Sequence, residues 1–381
     1  MNIPVDDIEV PFGCGEANEY TAHRLVQFAK DTSQKLKELT VAERSDLNRP
    51  RLSVIVVHYN DPEHLALCVD ALRCDLRIDE IVVVDNGSDV AALKVVTVAR
   101  DGIEMVCSPV NLGFGGGANL GAAHATGDLI AFLNPDTIPD SGCMTALAQA
   151  LSENGGVAGP QVRTGPDGVP EYGCTIDRML LPSAMDGPGD PLYVQGCCLA
   201  TTRSCFDAVG GFDDRYFLFQ EDVEFCWQAL RRGFPVVVVP GAGLAHAGGA
   251  VAGGGYRRSG RIETSSRRIL LRERNSWAVI IACAPRRCIP QLLALSLIRT
   301  VVFTGILLFY GRPRDASRLW WAGLAWNVVG LRPVLERRRR FGVTHSDEQG
   351  AWSRVERRLY LWDLARKGER LRFVDMKNVK N

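Results

Sequence analysis

Two short stretches of this sequence gather side chains suited to acid–base or metal chemistry. Asn134-Pro135-Asp136 sets a carboxylate beside an amide at the end of an apolar run. A carboxylate so placed can hold a divalent cation against a diphosphate, because Mg2+ and Mn2+ take hard oxygen ligands and keep positions open for phosphate. The same three residues are good β-turn chemistry, which taken alone is the simpler explanation. Gln220-Glu221-Asp222-Val223-Glu224 puts three carboxylates at the start of a helical stretch. The helix macrodipole alone favours acids there. The functional alternative makes one of them a general base in a site that excludes much water, with Phe217-Leu218-Phe219 as its apolar wall. His246 follows a strand-like run and precedes a glycine-rich stretch. A lone histidine is usually structural or at the surface, but this one is also a candidate third metal ligand.

A third stretch, Asn111 to Asn119, is glycine-rich between a predicted strand and a predicted helix. Gly113, Gly115 and Ala118 fit the loose G-x-G-x-x-A form of a dinucleotide fingerprint. That fingerprint belongs after the first strand of its unit, and here it follows the third, so dinucleotide binding is disfavoured. Close packing of a helix against a ligand-binding turn explains the glycines equally well.

The elements that must position these groups follow from hydrophobic periodicity. Leu52–His58 is a continuous apolar run ended by a turn signal, as a strand covered on both faces should be. Asp61-Pro62 opens a helix to about Cys74, with the aspartate as N-cap and proline in the first turn. Residues 81–84, 103–107 and 129–133 read as further strands. Residues 91–100 and 118–125 read as helices, and 113–117 as a glycine-rich turn. This alternation predicts a parallel sheet with right-handed crossovers. Ligands bind such sheets at the carboxyl ends of the strands. Tyr59-Asn60-Asp61, residues 85–88 and residues 134–137 fall there. Beyond, 165–191 reads as a variable loop. Residues 193–202 and 235–239 read as strands, 221–232 as a helix and 247–255 as a mobile segment.

Composition bounds the rest. The 381 residues are 46% hydrophobic with 44 basic and 44 acidic side chains, a globular composition that excludes a fibrous or wholly disordered chain. None of the twelve cysteines forms a C-x-x-C pair, which disfavours a zinc ribbon or thioredoxin-type site. They read as free thiols in a reducing cytosol. Zero net charge conceals an asymmetry: residues 256–381 hold 27 basic and 10 acidic side chains, so the second half is expected to meet something anionic. Residues 1–10 carry three acids and no apolar run, so the expected address is the cytosol or the cytosolic face of a membrane. Residues 290–309 are apolar but interrupted by Arg299, and residues 319–329, rich in tryptophan, precede Arg337-Arg338-Arg339-Arg340. A central arginine is costly in a bilayer. Tryptophans beside arginines favour a helix lying in the interface, with a true span and an ordinary buried subdomain as alternatives. The expected organisation is a helical extension (1–50), a catalytic domain (51–255), a helical region at a membrane surface (256–340) and a basic tail (341–381).

Taken in order, Val-Val-His-Tyr-Asn60, Val-Val-Asp85-Asn-Gly-Ser88, Asn111 to Asn119, Leu-Asn-Pro-Asp136 and Phe-Gln-Glu-Asp222-Val-Glu-Phe-Cys-Trp227 resemble the family 2 glycosyltransferases. The likeness is to bacterial rhamnosyltransferase-like and galactofuranosyltransferase-like members, over about residues 51–250. It implies a GT-A fold, a Rossmann-like and mostly parallel sheet flanked by helices. It also implies inverting transfer of rhamnose or another hexose from a dTDP- or UDP-sugar to a hydroxyl of a glycan or polyprenyl-linked acceptor of the cell envelope. By residue, the resemblance implies that Asp85 contacts the nucleotide base, with Tyr59 and Asn60 beside it. Asn111, Gly113, Asn119 and Asn134 would complete the donor site. Asp136 would bind Mg2+ or Mn2+, joined by His246, and Asp222, next to Glu221, would deprotonate the acceptor hydroxyl. No nucleic acid is expected as a partner.

Two departures matter. Asn134 stands where the family's Asp-x-Asp has its first acid, so the metal would be held more weakly or mainly through the diphosphate. The Gln/Arg-x-x-Arg-Trp of processive synthases is absent: residues 228–232 lack the tryptophan, which favours adding one or a few sugars. A nucleotidyltransferase is the rival enzyme. It would want a glycine-rich loop with Arg or Lys after the first strand, and residues 58–62 offer neither. A non-catalytic nucleotide-sugar-binding protein would have a disrupted base, whereas Glu221-Asp222 is intact.

Overall fold

The apolar runs of the first half become strands covered on both faces. The computed structural model describes residues 49–89, 102–165, 168–247, 257–258, 261–339, 345–360 and 370–373. The expected helix over 91–100, most of the 1–50 extension, most of the 247–255 segment and much of the basic tail lie outside the described residues. Pro50–Asn381 forms one compact unit.

In chain order come β1 (Leu52–His58), α1 (Pro62–Arg73), β2 (Glu80–Asn86), β3 (Ile103–Ser108), α2 (Gly113–His124) and β4 (Leu129–Leu133). These four strands pair in the order β3-β2-β1-β4, all parallel. β1 and β4 are buried along their whole length, which is why they are apolar without alternation. Register sets His58 opposite Asp85 and Val56 opposite Leu133. Tyr59, Asn86 and Asn134 therefore leave the sheet along one carboxyl edge.

The chain continues through β5 (Thr137–Pro139), α3 (Cys143–Asn154), β6 (Val157–Thr164), β7 (Cys174–Asp177), β8 (Pro182–Ala184) and β9 (Cys198–Thr202). Then follow α4 (Arg203–Val209), α5 (Glu221–Leu230) and β10 (Val236–His246). The main sheet has the order β3-β2-β1-β4-β9-β6-β10-β5. β9 runs antiparallel to β4 and β6, and β5 antiparallel to β10, so the sheet is mixed. Alternate residues of β1 face opposite cores: Ile55 and Val57 meet α2 and α5, while Val54 and Val56 meet α1 and α3.

Several boundaries differ from expectation for physical reasons. Residues 113–117 open α2 rather than precede it. The helix rides so close on β1 that a Cβ at Gly121 would lie 2.4 Å from Ile55 Cγ2. The strand expected from 193 begins at Cys198, and β10 runs past Pro240 to His246 through an irregularity between Val238 and Gly243. Within 165–191, β7 and β8 form part of a small separate sheet.

The C-terminal part is helical: α6 (Ser266–Cys283), α7 (Ile289–Phe309), α8 (Pro313–Val329), α9 (Leu331–Arg339) and α10 (His345–Ser353). Arg299 is 1% exposed and its Nε lies 2.6 Å from Glu273 Oε1 on α6, while Thr300 Oγ1 donates to Glu273 Oε2 at 2.8 Å. The arginine that interrupts the apolar run thus faces a carboxylate inside the protein. Elsewhere α7 exposes Leu297, Ile298, Val301, Leu308 and Phe309 (86% exposed), and α8 exposes Trp321 (73%), Leu324 and Val328. Arg286–Phe309 is long and apolar enough to cross a membrane by length and composition. The arginine run expected at a surface is partly used inside. Arg337 donates from Nε and Nη2 to the carboxylate of Glu224, both at 2.8 Å, and Arg338 donates to the carbonyls of Ile281 and Ala284.

Candidate active site

The carboxyl edge of β1, β2 and β4, the start of α2, the end of β10, the start of α5 and the first two turns of α6 enclose a cavity of about 800 Å3. Asp136 with His246 lines it at one end, and Glu221 with Asp222 at the other.

At one end, β5 pairs antiparallel with β10, with Thr137 opposite His246. Ala247 N–H donates to Asp136 O at 3.0 Å, and Asn134 N–H donates to Cys197 O at 3.0 Å. This pairing brings His246 Nε2 to 3.4 Å from Asp136 Oδ1. Burial pushes the Asp136 carboxyl up, but His246, by hydrogen bond and charge, and His64, by charge, outweigh it and hold the group below the usual carboxylate range. His64 is itself raised, chiefly by its contact with Asp61 at 2.7 Å. Among the described residues no group of three His, Cys, Asp or Glu side chains is arranged to hold a metal. A buried carboxylate and an imidazole this close do suit a divalent ion whose remaining positions go to phosphate oxygens.

At the other end, Asp222 is fixed by two backbone donors: Gly196 N–H to Oδ2 at 3.0 Å and Val223 N–H to Oδ1 at 2.8 Å. The loop that delivers it is unusual. Phe217, Phe219 and Gln220 all have positive φ, at 63°, 69° and 73°. Such backbone persists only where its surroundings over-determine it, and here they do. The Asn275 amide of α6, fully buried, is shared among the carbonyls of Tyr216, Leu218 and Phe219 at 3.0, 3.0 and 2.7 Å. Phe114 N–H donates to Phe217 O at 2.7 Å. Gly113, at φ +77°, admits that approach, since a Cβ there would lie 2.1 Å from Phe217 O.

Burial, then the charge of Asp222, pushes the Glu221 carboxyl up to about 8. Burial also raises Asp222, against the pull of the Gly196 and Val223 amides and of Arg272. At neutral pH Glu221 therefore carries its proton, and Asp222 is the group available to accept one. The third carboxylate of the cluster, Glu224, is taken by Arg337.

The wall formed by α6 is cationic: Arg267, Arg268 and Arg272 line the cavity. The Arg267 guanidinium lies 5.6 Å from the Phe217 ring and that of Arg268 4.6 Å from the Phe219 ring. Cys174 and Cys197 also line the cavity, but burial raises the first thiol to about 12 and the second well above its ordinary value. Both stay protonated and are poor nucleophiles.

Of the residues singled out by sequence, Tyr59, Asn111, Gly113, Asn134, Asp136, Glu221, Asp222 and His246 share this cavity. Asn60, Asp85 and Asn119 are not part of its lining. Asn119 is occupied at both ends of its amide by the backbone of Phe212, at 2.9 Å each way, and so joins α2 to the segment after α4. Asn60 accepts from Asp89 N–H at 2.8 Å and braces the turn after β2. Asp85 is buried opposite His58, and its Oδ1 has no hydrogen-bond partner among the described residues. Its neighbour Asn86 does line the cavity and accepts from Leu112 N–H at 2.9 Å. Sequence reasoning set Asn86 at the ligand-binding strand ends without giving it a role, and missed Asn275 and the three arginines. Only the general basic surplus of the second half hinted at the last.

Comparison with known proteins fits this geometry. Residues 53–204 match the model described as Glycosyl transferase family 2. Over 232 residues the chain is 26% identical to the N-acetylglucosaminyl-diphospho-decaprenol L-rhamnosyltransferase of Mycobacterium tuberculosis (strain CDC 1551 / Oshkosh), covering 51% of this chain and 75% of the relative. Over 200 residues it is 25% identical to the low-salt glycan biosynthesis hexosyltransferase Agl10 of Haloferax volcanii, covering 49% of this chain and 63% of the relative. Among solved structures, GalNAc-T7 with UDP, GalNAc and Mn2+ superposes with a TM-score of 0.51 at 17% identity, covering 62% of this chain and 48% of that one. A likeness at that identity speaks for the fold, which is of the GT-A type.

Proposed function

Starting from a chain that carries a family 2 glycosyltransferase domain over residues 53–204 and is a glycosyltransferase, we propose that it performs inverting, metal-assisted transfer of a hexose, rhamnose among the candidates. The donor is a dTDP- or UDP-sugar and the acceptor a hydroxyl of a lipid-linked glycan. The observation that carries this reading is the sharing of one cavity by Asp136 and Asp222, whose carboxyl groups are shifted in opposite directions, the first down and the second up.

Asp222 accepts the proton of the acceptor hydroxyl as that oxygen attacks the anomeric carbon. The new carbon–oxygen bond forms on the face opposite the breaking bond to the diphosphate, which inverts the centre. Gly196 and Val223 N–H hold the Asp222 carboxylate in one orientation, and the Phe217–Gln220 backbone, gripped by Asn275, sets where it points. Glu221, protonated beside it, adds no second negative charge at neutral pH. Asp136 and His246 would hold the divalent ion, which when bound neutralises charge on the departing diphosphate. Tyr59, Asn86, Asn111 and Asn134 line the same side of the sheet edge and suit the rest of the donor.

The outward apolar faces of α7 and α8 support peripheral attachment at the cytoplasmic face of the cell membrane, with the helices lying in the interface. The rhamnosyltransferase relative is named for an acceptor sugar on diphospho-decaprenol, and an acceptor of that chemistry would be met at such a surface.

The test is a thermal-shift screen of UDP- and dTDP-sugars with Mg2+ or Mn2+, followed by transfer to a short-chain N-acetylglucosaminyl-diphospho-prenol with the best donor. Selective stabilisation by one nucleotide-sugar, dependent on the metal, and a product of inverted anomeric configuration are expected. Stabilisation by no nucleotide-sugar, or a retained configuration, overturns the reading.

A further inference from the structure

The cationic wall of α6 is not needed to hold Asp222, which two backbone amides already fix, nor Asp136, which lies 3.4 Å from His246. We propose that Arg272, with Arg268 one helical turn before it, forms a separate recognition site for the diphosphate of the lipid-linked acceptor. The inference rests on the glycosyl-transfer reading above and specifies the acceptor half of its site.

Residues 268 and 272 lie four apart on one helix and so share a face. Both line the cavity. Arg268 lies over the Phe219 ring at 4.6 Å, which places its guanidinium beside Arg272 on the cavity wall. Burial lowers Arg268 to about 9, which leaves it charged at neutral pH. The described carboxylates that line the cavity are Asp136, Glu171, Glu221 and Asp222, of which Glu221 is protonated and Glu171 accepts from Gln195.

The position of the wall selects the acceptor over the donor. Arg267 and Arg268 lie over the rings of Phe217 and Phe219, at 5.6 and 4.6 Å, in the loop that delivers Asp222, whereas the side chain set against Asp136 is His246, at 3.4 Å. A group beside the proton acceptor meets the molecule that gives up the proton. The wall is also tied to the apolar helices: Glu273, the residue after Arg272, pairs with Arg299 of α7. An anionic head recognised on one side of α6 and an apolar surface carried behind it match a prenyl diphosphate in chemistry.

The experiment is calorimetric titration of farnesyl diphosphate, a soluble prenyl diphosphate, into protein saturated with UDP or dTDP and Mn2+. Binding alongside the nucleotide is expected. Arg272→Gln should weaken it about tenfold or more, the size of a lost charge-assisted hydrogen bond, with Arg272→Lys recovering part. Nucleotide affinity, unchanged in both variants, serves as the control for folding. Inorganic pyrophosphate is the second arm and should bind more weakly than farnesyl diphosphate. Mutual exclusion of farnesyl diphosphate and nucleotide, equal weakening of nucleotide by Arg272→Gln, or equal binding of pyrophosphate overturns the proposal. Were wild-type protein to bind farnesyl diphosphate beside nucleotide and yet transfer no sugar, this site would stand and the proposed reaction would fall.

Discussion

Asp136 and Asp222 line the same cavity, yet their surroundings push them in opposite directions. Both are largely removed from water, and burial alone would raise both. At Asp136 two histidines overcome that penalty and keep the carboxylate charged. At Asp222 two backbone amides and an arginine only temper it, and a neighbouring glutamate sits in the same dry corner. The difference is one of available chemistry. A carboxylate held charged beside an imidazole suits a cation, whereas one whose basicity is raised suits a proton.

The sharpest way to break this contrast is to neutralise each end separately. Asp222→Asn should reduce kcat by about 100- to 10,000-fold, the usual contribution of a positioned base. It should leave metal-dependent nucleotide affinity unchanged. Asp136→Ala should do the reverse, weakening Mn2+-dependent nucleotide binding by about tenfold or more. Exchange of these phenotypes between the two variants would dissolve the assignment. In the wild type, kcat/KM should fall on the acid side at a higher pH than an ordinary aspartate would give, because the base must be ionised and its pKa is raised.

A smaller effect is expected one step back from the chemistry. Asn275→Ala removes the donor shared by three carbonyls and should lower kcat more than it raises donor KM. A cost of about 1–3 kcal/mol in stability is expected from the unsatisfied carbonyls. A kcat that falls only in step with thermal stability across Asn275→Ala and Asn275→Gln, the second of which keeps an amide donor, would mark it as packing alone.

Glu221→Gln tests the electrostatics without touching the base. Between the ordinary glutamate pKa and about 8 the folded protein holds a proton that the unfolded chain releases, so wild-type stability is lost as pH rises through that window. The variant should gain Tm relative to wild type at pH 8 and much less at pH 5. A gain that does not grow with pH contradicts a raised Glu221. Least coupled to turnover, Phe309→Ser with Trp321→Ser should reduce binding to anionic vesicles and leave Tm unchanged, since both side chains are exposed. Undiminished vesicle binding would separate the helical region from any membrane.

The sheet was legible because buried parallel strands need uninterrupted apolar runs, and β1, β2 and β4 have them. Asp136 and Asp222 were legible because polar residues at strand ends and helix starts stand out against such runs. Arg272 and Asn275 were not, since nothing local distinguishes them on α6. Only the packing of that helix against the Tyr216–Phe219 loop turns them inward. Asn119 misled for the converse reason: its motif is near the site, but its amide is spent on Phe212. The arginine run at 337–340 read as a surface feature because Glu224, the partner of Arg337, lies over a hundred residues earlier in sequence.

The most direct test is anomalous scattering from Mn2+ in crystals grown with the nucleotide that the screen selects. A single strong peak is expected within about 2.3 Å of an Asp136 oxygen and of a nucleotide phosphate, with Asp222 across the cavity and free of metal. A peak ligated by Asp222 or Glu221, with none at Asp136, would contradict that placement.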